Sequence, residues 1–141
     1  GTADAEEVFV MSIRVEGVID LPYVDLKDLE TLYELFLFLQ ENKISVGSFN
    51  PNEWLYVLKD GALKVIHKER DWSYFEFKDG QFFIDKHHTI TEKNADDALK
   101  AIREFYPMVK KALEVLKSVP NAAKISYDKE KEKLVIEVEE L

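Results

Sequence analysis

Residues 54–84 read WLYVLKDGALKVIHKERDWSYFEFKDGQFFI, and the fold turns on them. Two Lys-Asp-Gly steps, Lys59-Asp60-Gly61 and Lys78-Asp79-Gly80, each sit between runs of alternating apolar residues. Asp-Gly in that setting signals a two-residue type I′ hairpin, because both central residues must take positive φ. A two-residue turn fixes the register on either side of it. Leu58 then faces Leu63, Tyr56 faces Val65 and Trp54 faces His67; Phe77 faces Phe82, Phe75 faces Ile84 and Trp72 faces His87. A short turn over Glu69-Arg70-Asp71 joins the hairpins and sets Val65 against Phe75 and Lys64 against Glu76. The stretch is therefore a four-stranded meander.

Side chains alternate across a strand, so the register yields two faces. Face one carries Trp54, Tyr56, Leu58, Leu63, Val65, Phe75, Phe77, Phe82 and Ile84, and is the core face. Face two carries Leu55, Val57, Ile66, Trp72, Tyr74 and Phe83 among Lys64, Glu76, Lys78, Asp85 and His87. A meander with one wet face does not place six large apolar residues on it. Face two is covered, or it binds something.

Upstream, Asp25 reads as the N-cap of a helix running to Asn42, with Asp28 three residues on. Its apolar positions, from Leu26 through Leu39, span roughly 260° of the circumference at 100° per residue. Such a helix is sandwiched, either within the domain or against a second subunit. Ahead of it, alternation of Phe9, Met11, Ile13 and Val15 predicts a half-buried strand, and Gly1–Glu7 reads as a frayed terminus or vector remnant. Downstream, Asn94 reads as the N-cap of a long helix from Ala95 to Val119, with Asp96 and Asp97 placed for the dipole and Pro107 predicting a kink or break. A last hairpin turns over Lys129–Glu132, and residues 44–49 could add a short strand. The expectation is one α+β domain over residues 8–141, an antiparallel sheet with two α-helices in the order β-α-β-β-β-β-α-β-β.

Composition narrows the chemistry. The 141 residues hold no cysteine, which excludes a disulfide scaffold, a Cys-based zinc site and a thiol enzyme. The longest apolar run, Leu35 to Leu39, is far short of a membrane span, and no basic-plus-apolar signal stretch opens the sequence. A net charge of −9 with only three arginines argues against nucleic acid and anionic membrane as partners. No Gly-rich phosphate loop, dinucleotide fingerprint or G-x-S-x-G elbow is present.

Three constellations carry possible chemistry. Glu76-Phe77-Lys78 places a carboxylate and an amine on one strand face, 16 residues after Asp60. With the local order helix, three antiparallel strands, helix, strand, this is similar to the core of restriction-endonuclease-like nucleases. That resemblance implies a metal held by Asp60 and Glu76, with Lys78 assisting the attacking water. Against it, Asp60 is already explained as a turn residue, and Glu76 has Lys64 across the strand as an ion-pair partner. Asp85 and His87 share face two and are candidate ligands for a divalent metal, though their spacing is not specific. His67 reads as a packed histidine beside Trp54. The aromatic cluster between Phe49 and Phe83 could line an apolar-ligand pocket, or simply form the core.

The reading that uses the two apolar surpluses is a cytoplasmic, non-catalytic module that needs no cofactor and pairs with itself as a homodimer or with another protein. Either Leu37 and Phe38, or Trp72, Tyr74 and Phe83, form its interface. The alternatives are a metal-dependent nuclease-like enzyme and a small apolar-ligand binder. Glu (17) and Lys (16) dominate while Gln occurs twice, a hyperthermophile-type balance. A scanning-calorimetry midpoint above about 90 °C is expected on that basis, and a midpoint near about 55 °C would overturn it.

Overall fold

Both Asp-Gly turns take the left-handed backbone that the hairpins demand: φ is +53° at Asp60, +74° at Gly61, +53° at Asp79 and +73° at Gly80. The structure, a computed structural model, describes residues 10–14, 24–84, 88–118 and 122–138. Phe9, Val15, Asp85, His87 and residues 1–7, about which the sequence raised expectations, lie outside the described residues. The elements are β1 (Val10–Arg14), α1 (Leu29–Glu41), β2 (Trp54–Lys59), β3 (Ala62–His67), β4 (Tyr74–Lys78), β5 (Gln81–Ile84), α2 (Thr89–Ser118), β6 (Ala122–Asp128) and β7 (Lys133–Val138). The class is α+β and the order is β-α-β-β-β-β-α-β-β, with a 3₁₀ turn at Pro51–Glu53 before β2. The strands fall into two sheets, β2-β3-β4-β5 and β1-β7-β6. The chain divides into two compact units, residues 18–106 and residues 1–17 with 107–141, and the division falls at Pro107 inside α2.

In the first unit the meander has the register its turns impose. Trp54 pairs with His67, Tyr56 with Val65 and Leu58 with Leu63; Val65 pairs with Phe75, Lys64 with Glu76 and Phe77 with Phe82. Face one packs on α1. The Phe36 ring stacks on Tyr56 at 5.0 Å and lies 5.7 Å from Phe49 and 6.3 Å from Phe77. On the other side of α1, Phe38 meets Phe105 of α2 at 6.0 Å. This explains the wide apolar arc of α1: the helix is held between the sheet and α2 within its own unit. Leu32, Leu35, Phe36 and Leu39 are fully buried there. Leu58, placed in the core by alternation, is exposed. Gly80 is tight: a Cβ there would come 3.0 Å from Lys27 Cγ, so the second turn rests against that side chain.

Several local expectations are corrected. The N-cap of α1 is Asp28, not Asp25. Asp28 accepts from the Thr31 N–H (3.2 Å) and hydroxyl (2.7 Å), and from the Tyr106 hydroxyl (3.1 Å). Asp25 instead closes the preceding turn through the Lys27 N–H at 2.9 Å. Residues 44–49 form no strand; Val46 and Phe49 make an isolated bridge around Gly47, whose φ is +54°. Helix α2 begins at Thr89, so Asn94 is interior rather than a cap. Its first turn is anchored where Thr91 Oγ1 meets Ser73 Oγ at 2.6 Å, both buried. The helix assignment continues through Pro107, which has no N–H for the Arg103 carbonyl.

In the second unit β7 is central. It pairs with β1 from Val10–Glu137 to Arg14–Lys133, and with β6 through Tyr127–Leu134, with an irregularity between Ala122 and Lys124. Asp128 Oδ1 closes the hairpin by accepting from the N–H groups of Glu130 and Lys131, and Glu132 takes φ +50°. Met108, Val109, Ala112 and Leu134 are its buried apolar residues among those described. Among the described residues no helix is long and apolar enough to cross a membrane.

The cap assignment is testable by paired substitutions. Asp28→Ala is expected to lower stability by about 1–2 kcal/mol, read from the urea midpoint. Asp25→Ala is expected to stay within about 0.5 kcal/mol of the parent.

Candidate functional site

Face two of the meander is open. Leu55, Val57, Trp72, Tyr74 and Phe83 are each between 36% and 50% exposed. The register sorts the face into rows across the strands. One row is Leu55, Ile66 and Tyr74; the next is Val57, Lys64, Glu76 and Phe83; the third is Lys59, Ala62, Lys78 and Gln81. The apolar character therefore sits at the end away from the two Asp-Gly turns, and the lysines gather beside them. Helix α1 lies against face one, so it leaves this side bare.

The electrostatics of the middle row depart from the sequence expectation. Lys64 and Glu76 are cross-strand neighbours, but they do not form the expected ion pair. The Lys64 ammonium instead lies over the Tyr74 ring, 4.3 Å from its centroid. That cation–π contact is favourable on a partly shielded surface. Among the described residues the half-buried Glu76 carboxylate is left with no hydrogen-bond or ion-pair partner. Trp72 sits between the Arg70 guanidinium at 5.9 Å and the His88 ring at 4.3 Å.

The residues singled out from sequence separate clearly. Tyr74 and Phe83 stand on the open face in adjacent rows, and Trp72, just before β4, is exposed as well. Phe38 is buried under Phe105, and Leu37 is half-buried on α1. Asp60 occupies a hairpin turn, Lys78 is exposed, and Glu76 lies on the open face between Lys64 and Phe83. Asp85 and His87 lie outside the described residues. Among the described residues no group of three His, Asp or Glu is placed to hold a metal ion. His67 is buried and packs edge-on against Trp54 at 5.0 Å. Its Nδ1 accepts the N–H groups of Glu69 and Arg70, both at 3.1 Å, so the ring proton sits on Nε2, 3.5 Å from Glu53 Oε2. It shapes the β3–β4 turn.

A second cluster went unread in the sequence. Asp97, taken there for a dipole-facing residue, is only 3% exposed and receives the Ser48 N–H and hydroxyl, each at 2.7 Å. Asn94 donates to the Ser48 carbonyl (3.2 Å) and hydroxyl (3.0 Å), and its Oδ1 accepts from Arg70 at 3.4 Å. Gly47 permits the approach: a Cβ there would lie 2.5 Å from the Asp97 carboxylate. The available signal was the Gly47-Ser48 step combined with Asn94 and Asp97 one turn apart, on a helix face lined by Ala95, Ala98 and Ala101. The cluster pins the 46–49 loop to α2, which in turn holds Phe49 against Trp54 at 5.6 Å. On the same side, the Tyr56 hydroxyl donates to the Pro51 carbonyl at 2.6 Å, and burial pushes its phenol pKa up.

The Ser48 N–H and hydroxyl hold the Asp97 carboxyl below the ordinary range. Burial opposes them, and Lys93 (3.8 Å) and Lys100 (3.5 Å) add to the lowering. No family model, curated protein or solved structure matches the chain.

The lowered Asp97 pKa has a definite sign. Its stabilising effect is complete above the unfolded value of about 3.9 and is lost as pH falls through the lower folded value. Asp97→Asn is therefore expected to cost about 1.5–3 kcal/mol at neutral pH, since it weakens charge-assisted hydrogen bonds. Urea unfolding in progressively more acid buffer should show the gap between variant and parent closing below about pH 4. A gap that stays constant into acid would refute the assignment.

Proposed function

We propose that this chain is a non-catalytic protein-interaction module that docks through the open face of its four-stranded sheet. The observation that carries the reading is the exposure of Leu55, Val57, Tyr74 and Phe83 in adjacent rows of a regular antiparallel sheet, with Trp72 exposed just before β4. An antiparallel sheet that faces water on one side alternates apolar with polar residues, and this one does not. A contiguous apolar patch of that kind on a small protein marks a binding surface. Aromatic side chains supply large contact area at low entropic cost, and here Phe83 ends the row bearing one lysine and one glutamate while Tyr74 lies in the row beside it. The chain's net charge of −9 favours a protein partner over a polyanion.

The area sets the strength. Four strands about 4.8 Å apart and about five residues long, at about 3.3 Å per residue, give a face of roughly 320 Å² per copy. Two such faces bury less than a standard specific interface, so weak association, micromolar or above, is expected. Sedimentation equilibrium from about 1 to 100 μM brackets it. The average mass is expected to rise above that of one chain with concentration. Phe83→Lys combined with Leu55→Lys is expected to return it to one chain while leaving the circular dichroism spectrum unchanged. A wild-type mass of one chain across the whole range would overturn the self-association reading.

A further inference from the structure

The row Val57, Lys64, Glu76, Phe83 crosses the open face from edge strand to edge strand. Its character reads apolar, positive, negative, apolar, so reversing the row exchanges opposite charges and returns apolar to apolar. A surface with that property is complementary to its own copy under one particular symmetry operation. We infer that the occupant of the open face is a second copy of this chain, related by a two-fold axis that runs between β3 and β4, nearly parallel to the strands.

The geometry distinguishes this axis from the other two-fold available to face-to-face sheets. An axis parallel to the strands lays β3 over the second copy's β4 and β2 over its β5, keeping each row on itself. Lys64 then meets the second copy's Glu76, and Val57 meets its Phe83. In the adjacent rows Ile66 meets Tyr74, Lys59 meets Gln81 and Ala62 meets Lys78. An axis perpendicular to the strands keeps each strand on itself. It sets Lys64 against Lys64 and Glu76 against Glu76, and like charges facing each other in a closing interface are strongly disfavoured. A tilt of the first axis by about 15° gives the crossing of about 30° usual for aligned sheet packing. The interface is isologous, the commonest arrangement for small homo-oligomers.

Two further observations agree. Glu76 is half-buried and has no partner among the described residues, and the arrangement brings a lysine of the second copy to it. The face also carries Lys59, Lys64 and Lys78 against Glu76 among the described residues, although the chain as a whole is at −9. It is thus a surface where two acidic chains approach with comparatively little repulsion, and its outer lysines reach water at the rim.

This inference rests on the docking reading above, and the experiment separates the two. The chain has no cysteine, so single cysteines report contacts cleanly. Val57→Cys and Phe83→Cys proteins, both at exposed positions, are mixed under mild oxidation. A disulfide between the two variants is expected, with little for Val57→Cys alone. Lys64→Glu and Glu76→Lys proteins should each dimerise at least tenfold more weakly than the parent. An equimolar mixture should recover a dimer of one chain of each kind. Predominant Val57→Cys self-crosslinking would assign the perpendicular axis and overturn the inference. Failure of the charge variants to complement would do the same, if the parent still dimerises and Phe83→Lys with Leu55→Lys still dissociates it; the docking reading would then survive. A parent that stays at one chain overturns this inference together with the self-association reading.

Discussion

The left-handed backbone at Asp60-Gly61 and Asp79-Gly80 sets the parity of four strands, and the rest of the first unit depends on it. Both turns lie at the same end of the sheet and contain two residues. Neither strand pair can then slip by one without moving Phe75 and Phe77 into water and Tyr74 and Glu76 into the core. Once parity is fixed, face one becomes a continuous aromatic surface, with Phe75 packed against Trp54, Phe77 and Phe82.

That surface decides where α1 goes. Phe36 is the insertion point, in contact with Phe49, Tyr56 and Phe77. Phe38, two residues on, projects from another side of the same helix and meets Phe105. The apolar arc that looked excessive for one sheet is divided between the sheet and α2. The polar side of the design is equally economical. Asp28 caps α1 and also takes the Tyr106 hydroxyl, while Asp97 and Asn94 share Ser48. Each of these polar groups sits where two segments meet, and the buried Asn94 and Asp97 would be costly to leave unpaired.

Helix α1 lies on face one with α2 behind it, and neither covers the exposed apolar residues of the other side. Its apolar residues are not scattered. They flank a lysine and a glutamate in one row and take the three described places of the row beside it, an order that polar outer faces of ordinary meanders have no reason to adopt. The Lys64 contact with Tyr74 keeps the ammonium low over the face, and Glu76 has no hydrogen-bond or ion-pair partner among the described residues.

How much of this was legible in the sequence follows from the range of the interactions. Turn chemistry and alternation act between neighbours, so the hairpins, their register, the two faces and the α+β order could all be read from residues 54–84 and their flanks. The aromatic side chains Trp72, Tyr74 and Phe83 of the candidate surface were legible for the same reason. Caps were not: Asp25 and Asp28 are chemically equal, and Thr31 with Tyr106 selects the second. Nor was the start of α2, since Asn94 makes a good cap in isolation, and its partners inside the helix are Ser48, 46 residues away, and Arg70. The choice between Phe38 and Trp72 as surplus surface also required α2 to be in place. Contacts between residues distant along the chain leave no local pattern, so what covers α1 and what leaves face two bare were decided by tertiary packing alone.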